Sequence, residues 1–138
     1  MIRTVPIPLA SGRIAWVAAG PTRELPEDRM LVRCAAEISV PAERVAVDIS
    51  TKDFTPLDPD VLERRFPAIM ELLDAGADLY VGCFGGTGRT GTALALMVGQ
   101  HPDMTGRQAI DYIRAVYKSG AVETRDQEDQ VAYYSKSR

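Results

Sequence analysis

The chain has 138 residues, of which 46% are hydrophobic and 25% charged, and its formal net charge is −3. This length and composition predict a single globular domain over 1–138, and the charge disfavours nucleic acid and anionic membranes as partners. No apolar run is long enough to cross a bilayer, and Pro6, Pro8 and Arg13 interrupt the apolar N-terminus, which makes a poor signal peptide. With two cysteines and one histidine, the sequence predicts a cytoplasmic protein with free thiols and no metal cluster.

The first half of the chain carries mainly strand signals. Two short strands are predicted at Thr4–Leu9 and Arg13–Ala18, with a turn between them at Ser11-Gly12. Trp16, at the centre of the second strand, is predicted to lie in the core. The segment Glu24–Pro41 contains apolar residues without a clear period and stays unassigned.

A strand, a loop and a helix follow. Residues Arg44–Ile49 are predicted to form a buried strand, and a loop rich in Thr, Asp and Pro runs from Ser50 to Pro59. Asp58 is a plausible N-cap for a helix that begins at Pro59. Apolar residues recur there at helical spacing, at Leu62, Phe66, Ile69 and Leu73, with Pro67 expected to kink the helix and Gly76 to end it.

The second half of the chain alternates a strand with helices. Leu79–Val81 is a short apolar strand, and Thr92–Val98 is a strongly apolar helix. Two further helices are predicted at Thr105–Tyr117 and roughly Arg125–Tyr134. Strands that alternate with helices indicate an α/β fold, with a central, mainly parallel sheet flanked by helices.

The most informative segment is the glycine-rich loop that links this last strand to the apolar helix. Its residues are Cys83, Phe84, Gly85, Gly86, Thr87, Gly88, Arg89 and Thr90. A loop that enters a helix presents converging N–H groups and the positive end of the helix dipole, which together bind anions. Arg89 can grip two phosphate oxygens, and the same positive field favours the nucleophilic thiolate of Cys83.

The loop has two other possible interpretations. A nucleotide-binding loop has glycine where Cys83 stands and lysine where Arg89 stands, so it leaves the cysteine unexplained. A tight glycine turn beside a buried cysteine would need neither Arg89 six residues after the cysteine nor Thr90 directly after that arginine.

With Cys83, Arg89 and Thr90 in this order, the sequence resembles the cysteine phosphatases of the protein-tyrosine and dual-specificity superfamily. Further segments, Gln108–Arg114 and Ser119–Thr124 with Gln127, resemble compact phosphatases of the kinase-associated type. The resemblance implies hydrolysis of phosphoprotein, at phosphotyrosine and possibly phosphoserine or phosphothreonine, through a phosphocysteine on Cys83 and without a cofactor. Residues 84–89 would bind the phosphate, and the Thr90 hydroxyl would donate a hydrogen bond to the departing sulfur.

The resemblance also implies a general acid on a loop about thirty residues before the cysteine. Asp53 lies 30 residues before Cys83 and is favoured, with Asp48 and Asp58 as alternatives. A glutamine that positions the hydrolytic water is expected at Gln127 or, alternatively, at Gln130.

Position 82 departs from the family pattern, because Gly82 stands where histidine normally precedes the cysteine. This departure motivates a second hypothesis, a phosphate-binding module without turnover. A third is a thiol redox enzyme or sulfurtransferase. Cys34 could form a redox pair with Cys83, but an ordinary buried thiol is the favoured interpretation.

Overall fold

The computed structural model of the chain describes residues 2–137, which form five strands and four α-helices. The strands are β1 (Arg3–Pro8), β2 (Ile14–Pro21), β3 (Met30–Ala35), β4 (Val45–Thr51) and β5 (Leu79–Cys83). The helices are α1 (Pro59–Asp74), α2 (Gly88–Gly99), α3 (Gly106–Val116) and α4 (Arg125–Tyr134). Single turns of 3-10 helix follow β2 at Thr22–Glu24 and precede β4 at Ala42–Arg44.

The five strands form one sheet in the order β1-β2-β5-β3-β4. Only β1 runs antiparallel to its neighbour, and the other pairs are parallel. The predicted α/β fold with a mainly parallel sheet is therefore confirmed. Strand β3, which lies in the segment left unassigned, pairs with both β4 and β5. Leu31, Val32 and Cys34 are all fully buried, and a strand buried on both faces lacks the alternation that marks a half-exposed strand.

Helix α2 is the centre of the helical layer, and each of its residues is buried. It packs against β5, α3 and α4, which explains an apolar pattern without a polar stripe. The helix begins at Gly88, four residues before the predicted start at Thr92. Arg89 and Thr90 consequently belong to its first turn, directly above the end of β5.

The prediction that Trp16 lies in the core is wrong, because its side chain is 59% exposed. Successive residues of a strand point to opposite faces of the sheet. Val17 and Ala19 are fully buried in the main core, so Trp16 lies on the opposite face of β2. On the Trp16 face, Ala18 is buried whereas Trp16 is exposed, so the apolar content of the strand did not show which part of this face is covered.

The predicted N-cap of α1 is present, and two further helices begin with side-chain caps. Asp58 accepts the backbone amides of Asp60 and Val61 and so caps α1. Pro67 lies inside α1, which nevertheless continues to Asp74. Thr105 and Thr124 each form a capping box, with a glutamine three residues later, at the start of α3 and α4. Across residues 2–137, no helix combines the length and the apolar character that crossing a membrane requires.

Candidate active site

The glycine-rich loop lies at the carboxyl edge of the sheet. Cys83 is the last residue of β5 and Gly88 is the first residue of α2. Because β5 lies between β2 and β3 and runs parallel to both, the segments that follow these strands meet beside the loop. The topology thereby brings Thr22 and Glu37 beside the loop. Asp53 follows β4, which runs parallel to β3, and therefore lies at the same edge of the sheet.

Arg89 is buried, with 1% of its side chain exposed, and is clamped by a carboxylate. Its Nη1 donates to Glu37 Oε1 at 2.7 Å and its Nη2 donates to Glu37 Oε2 at 2.6 Å. Nη1 also donates to the carbonyl oxygen of Thr51 at 2.7 Å. The hydrogen bonds from Arg89 are the main reason why the pKa of Glu37 is lowered to about 2.

The clamp leaves one edge of the guanidinium free. Of the five N–H donors of an arginine, Glu37 and Thr51 engage both on Nη1 and one on Nη2. Arg89 Nε is buried and has no hydrogen-bond partner among the described residues. Nε–H and the remaining Nη2–H lie side by side, the arrangement that binds two oxygens of a phosphate.

Asp53 lies beside this free edge. Its Oδ1 is 3.6 Å from Arg89 Nη2, and 48% of its side chain is exposed. The same oxygen accepts the backbone amide of Phe54 at 2.9 Å. Phe54 has a φ of +60°, an unfavourable value for an aromatic residue, and its ring is 61% exposed. Strained backbone of this kind concentrates at functional sites.

The two alternative acids are engaged elsewhere. Asp48 Oδ2 lies 2.8 Å from Arg33 Nη1, and Asp48 Oδ1 accepts the amide of Ser50. Burial raises the pKa of Asp48, but the hydrogen bonds from Ser50 and Arg33 outweigh burial and leave the pKa below its usual value. Asp58 caps α1. Of the three candidates, Asp53 is the one within ion-pair distance of Arg89.

Cys83 and Thr90 lie at the two ends of the loop. Cys83 is a free thiol with 3% exposure, and Thr90 is fully buried. The Thr90 hydroxyl has no partner among the described residues, so it remains available to a group bound in the loop. Cys34 is fully buried, its thiol donates to the carbonyl of Val32, and burial raises its pKa. It is the ordinary buried thiol that the sequence favoured.

Gly82 is explained by a neighbour that the sequence did not suggest. The Thr22 hydroxyl donates to the Cys83 carbonyl oxygen at 3.1 Å across 61 residues of sequence. A Cβ atom at position 82 would lie 3.0 Å from this Thr22 oxygen and 3.3 Å from Leu31 Cδ1. The space for a side chain at position 82 is therefore occupied by Thr22 and Leu31.

The remaining loop residues differ in exposure. Phe84 is 59% exposed, so its ring stands at the rim of the loop. Gly86 has a φ of +71°, and a Cβ there would lie 2.6 Å from the carbonyl carbon of Gly20. A Cβ at Gly88 would lie 2.1 Å from Glu123 Oε1, which places that carboxylate against the first residue of α2. Gly85 is exposed, and the Thr87 hydroxyl donates to the Gly85 carbonyl at 3.5 Å.

Gln127 is fully buried and helps to hold the loop that carries Asp53. Its Oε1 accepts two backbone amides just before α4, and its Nε2 donates to the Thr55 carbonyl at 3.2 Å. Gln130 exchanges two hydrogen bonds with the backbone of Leu57. Gln127 retains one free amide hydrogen, and its role towards water remains a prediction.

Residues 22–131 match the family model described as the Swiss Army Knife protein, DSP-PTPase phosphatase domain. The chain belongs to this phosphatase domain family. The resemblance predicted from the loop is confirmed, and the match contains Thr22, Glu37, Asp53 and the complete segment from Cys83 to Thr90.

Two uncharacterized proteins of Methanocaldococcus jannaschii are similar to part of the phosphatase domain. One is 44% identical over 63 residues, which cover 46% of this chain and 41% of the relative. The other is 42% identical over 59 residues, which cover 43% of this chain and 35% of the relative. The chain therefore aligns with less than half the length of each of these curated relatives.

Two crystal structures are similar over most of the phosphatase domain. Tk-PTP in its active form shares 24% identity with a TM-score of 0.70, over 86% of this chain and 89% of that chain. A kinase-associated phosphatase with its catalytic cysteine replaced by serine shares 16% identity with a TM-score of 0.72, over 96% and 93%. At these identities the similarity establishes the fold.

Proposed function

We propose that this phosphatase domain, as a single domain over residues 1–138, hydrolyses phosphate monoesters through a phosphocysteine on Cys83. The observation that supports the proposal most is the free edge of Arg89. A buried N–H without an acceptor is costly, and an anion at this edge would satisfy it. The backbone amides of the loop and the N-terminus of α2 would share the charge of the phosphate.

In the proposed first step, the Cys83 thiolate attacks phosphorus while the ester P–O bond breaks. Asp53 would protonate the leaving oxygen, and its distance of 3.6 Å from the Arg89 guanidinium supports this role. Glu37 raises the pKa of Arg89 most, and Cys83 and Asp53 act in the same direction, which supports their assignment to one site. The product alcohol leaves, and the phosphoryl group remains on sulfur.

In the second step, water attacks phosphorus, the P–S bond breaks and a proton of the water passes to Asp53. The unpartnered Thr90 hydroxyl would donate to the departing sulfur, and phosphate is released. Gln127 is the candidate for orienting the water, because one hydrogen of its buried amide is free.

The exposed aromatic rings at the rim favour an aryl phosphate as the substrate. Phe54 is adjacent in sequence to the proposed acid and Phe84 to the nucleophile, and both rings are about 60% exposed, at 61% and 59%. Aromatic side chains in these places would contact the ring of a phosphotyrosine. Phosphorylated proteins, with phosphotyrosine preferred to phosphoserine, are therefore the proposed substrates.

The contact of Thr22 with Cys83 favours an enzyme over the binding module that Gly82 suggested. The hydroxyl of Thr22 supports the backbone of Cys83 without a histidine at position 82. The loop therefore has a source of rigidity that the sequence motif alone lacks.

The test is hydrolysis of p-nitrophenyl phosphate and of matched phosphotyrosine and phosphoserine peptides. We expect Cys83→Ser to abolish turnover and Cys34→Ser to retain it. A ³²P-labelled aryl phosphate should label the parent protein at Cys83 after rapid denaturation. Turnover in Cys83→Ser equal to that of the parent would contradict the mechanism, and binding of phosphate without turnover by the parent would favour the binding module.

A further inference from the structure

Four consecutive carbonyl groups of the glycine-rich loop accept hydrogen bonds from side chains of neighbouring segments. The Cys83 carbonyl accepts from Thr22 Oγ1 at 3.1 Å, and the Phe84 carbonyl accepts from Arg23 Nη1 at 3.1 Å. On the other side, the Gly85 carbonyl accepts from Lys118 Nζ at 3.2 Å, and the Gly86 carbonyl accepts from the Tyr117 hydroxyl. The first two donors follow β2, and the last two follow α3.

Because each peptide unit is planar, the contacts that hold the four carbonyl groups also fix the direction of the N–H groups that follow them. In a trans peptide the C=O and the next N–H point in opposite directions, and residues 2–137 contain no cis peptide. The N–H groups of residues 84–87 therefore point away from the four donors. Within the described chain, none of these four amides donates to a protein acceptor. These four N–H groups are therefore free to donate to an anion bound in the loop.

Two of the four donors are buried, and their hydrogen bonds stabilise the loop more than those of the two exposed donors. Thr22 is 5% exposed and Tyr117 is 2% exposed, whereas the contacts of Arg23 and Lys118 lie in solvent. Exposed contacts are weakened by water and salt, so the hydroxyl groups contribute most to the orientation. Burial raises the pKa of Tyr117, so its hydroxyl stays protonated and can donate at neutral pH.

We infer that Tyr117 and Thr22 are positioning residues that hold the loop amides in the orientation required to bind an oxyanion. The inference rests on the proposed function only in naming the ligand a phosphate. Gly86, whose carbonyl Tyr117 holds, has a left-handed φ of +71° and is packed against Gly20. Without the hydroxyl, the Gly86–Thr87 peptide can rotate and withdraw the Thr87 amide from the ligand.

Tyr117→Phe tests the inference by removing a single oxygen atom. Tyr112→Phe is the matched control, because the Tyr112 hydroxyl also donates to a backbone carbonyl, that of Pro6, at 2.7 Å. We expect Tyr117→Phe to weaken the binding of inorganic tungstate about 5- to 20-fold and to lower kcat/KM for p-nitrophenyl phosphate to a similar extent. Tyr112→Phe should lower Tm without changing either quantity.

A second pair of variants tests the inference even if Tyr117→Phe fails to fold. Thr22→Val removes the hydroxyl and Thr22→Ser retains it. Tungstate affinity should fall in the valine variant and be retained in the serine variant. Equal affinities in these two variants, or equal losses in Tyr117→Phe and Tyr112→Phe, would overturn the inference.

The same measurements separate this inference from the proposed function. Tungstate binding is measured by calorimetry in the Cys83→Ser background, where no turnover is needed. If the parent hydrolyses no phosphate ester but the Tyr117 and Thr22 variants lose tungstate affinity as expected, the proposed function fails and the inference stands. If the parent is active and these variants bind tungstate like the parent, only the inference fails.

Discussion

Two carboxylates meet the Arg89 guanidinium from different directions and differ in how firmly they are held. Glu37 makes two hydrogen bonds of 2.7 Å or less to Arg89, whereas Asp53 lies 3.6 Å away. A tightly bonded carboxylate fixes the orientation of the guanidinium. A loosely held and half-exposed carboxylate on a loop can exchange a proton with substrate and water. The structure thus separates a clamp, Glu37, from a candidate acid, Asp53.

Replacing Asp53 tests the assignment of the acid. Asp53→Asn should lower kcat about 10²- to 10⁴-fold for an alkyl phosphate, whose leaving oxygen must be protonated. The loss should be much smaller for an aryl phosphate with a strongly acidic phenol. Asp58→Asn is the control, because asparagine also caps helices well. Equal losses on both substrates, or a larger loss in Asp48→Asn, would assign the role to another residue.

The low pKa of Glu37 predicts a pH dependence of stability. Its pKa falls from 4.5 to about 2 in the folded protein, so the folded state binds this proton less readily than the unfolded state. The stabilisation is fully present above about 4.5 and is lost as the pH falls towards 2. Urea titrations between these pH values should show a smaller decrease in the free energy of unfolding for Glu37→Gln than for the parent. Identical slopes in the two proteins would contradict the clamp.

At the scale of elements, side chains from segments on both sides of the glycine-rich loop hold its backbone in place. The 3-10 turn after β2 supplies Thr22 and Arg23, and the end of α3 supplies Tyr117 and Lys118. Strand β3 leads into the segment with Glu37, and β4 leads into the loop with Asp53. The site therefore depends on the order of strands in the sheet as much as on the loop.

The contact between the 3-10 turn and β5 predicts that position 82 does not tolerate a side chain. Gly82→Ala should destabilise the protein by about 1–3 kcal/mol, because its Cβ would lie 3.2 Å from the backbone of Thr22. Gly85→Ala is the control for Tm, since the nearest atom to its Cβ would be 3.9 Å away. We expect Gly82→His to be less stable and less active than the parent. A more active histidine variant would show that Thr22 does not replace the family histidine.

At the scale of the whole molecule, the fold places the two thiols in different environments. Cys34 is fully buried in the core, whereas Cys83 ends a strand at the edge where the candidate anion site opens. Iodoacetate, itself an anion, should therefore add one group to the native protein and two to the protein in guanidinium chloride. Inorganic phosphate should protect the native thiol, and Cys83→Ser should add none when native. Two adducts on the native protein would contradict the burial of Cys34.

Much of the candidate site could be predicted because its residues are contiguous. Cys83, Arg89 and Thr90 belong to one loop between a strand and a helix, and their chemistry follows from spacing and residue type. The helix caps at Asp58 and Thr124 depend on residues two or three positions away, so they too are encoded locally. Trp16 was misplaced because residues of one strand face can differ in burial: Ala18 is covered on that face, whereas Trp16 is exposed.

The amino-acid sequence by itself determined the glycine-rich loop, the family resemblance and the α/β order of elements, because these depend on neighbours along the chain. Only the tertiary structure decided which carboxylate clamps Arg89, since Glu37 is 52 residues away and carries no local signal. The same holds for Thr22 and Tyr117, which reach the loop across 61 and 31 residues. The order of the parallel strands brings these distant segments to one edge of the sheet. There Glu37 holds Arg89, and Thr22 and Tyr117 hold the backbone of the loop.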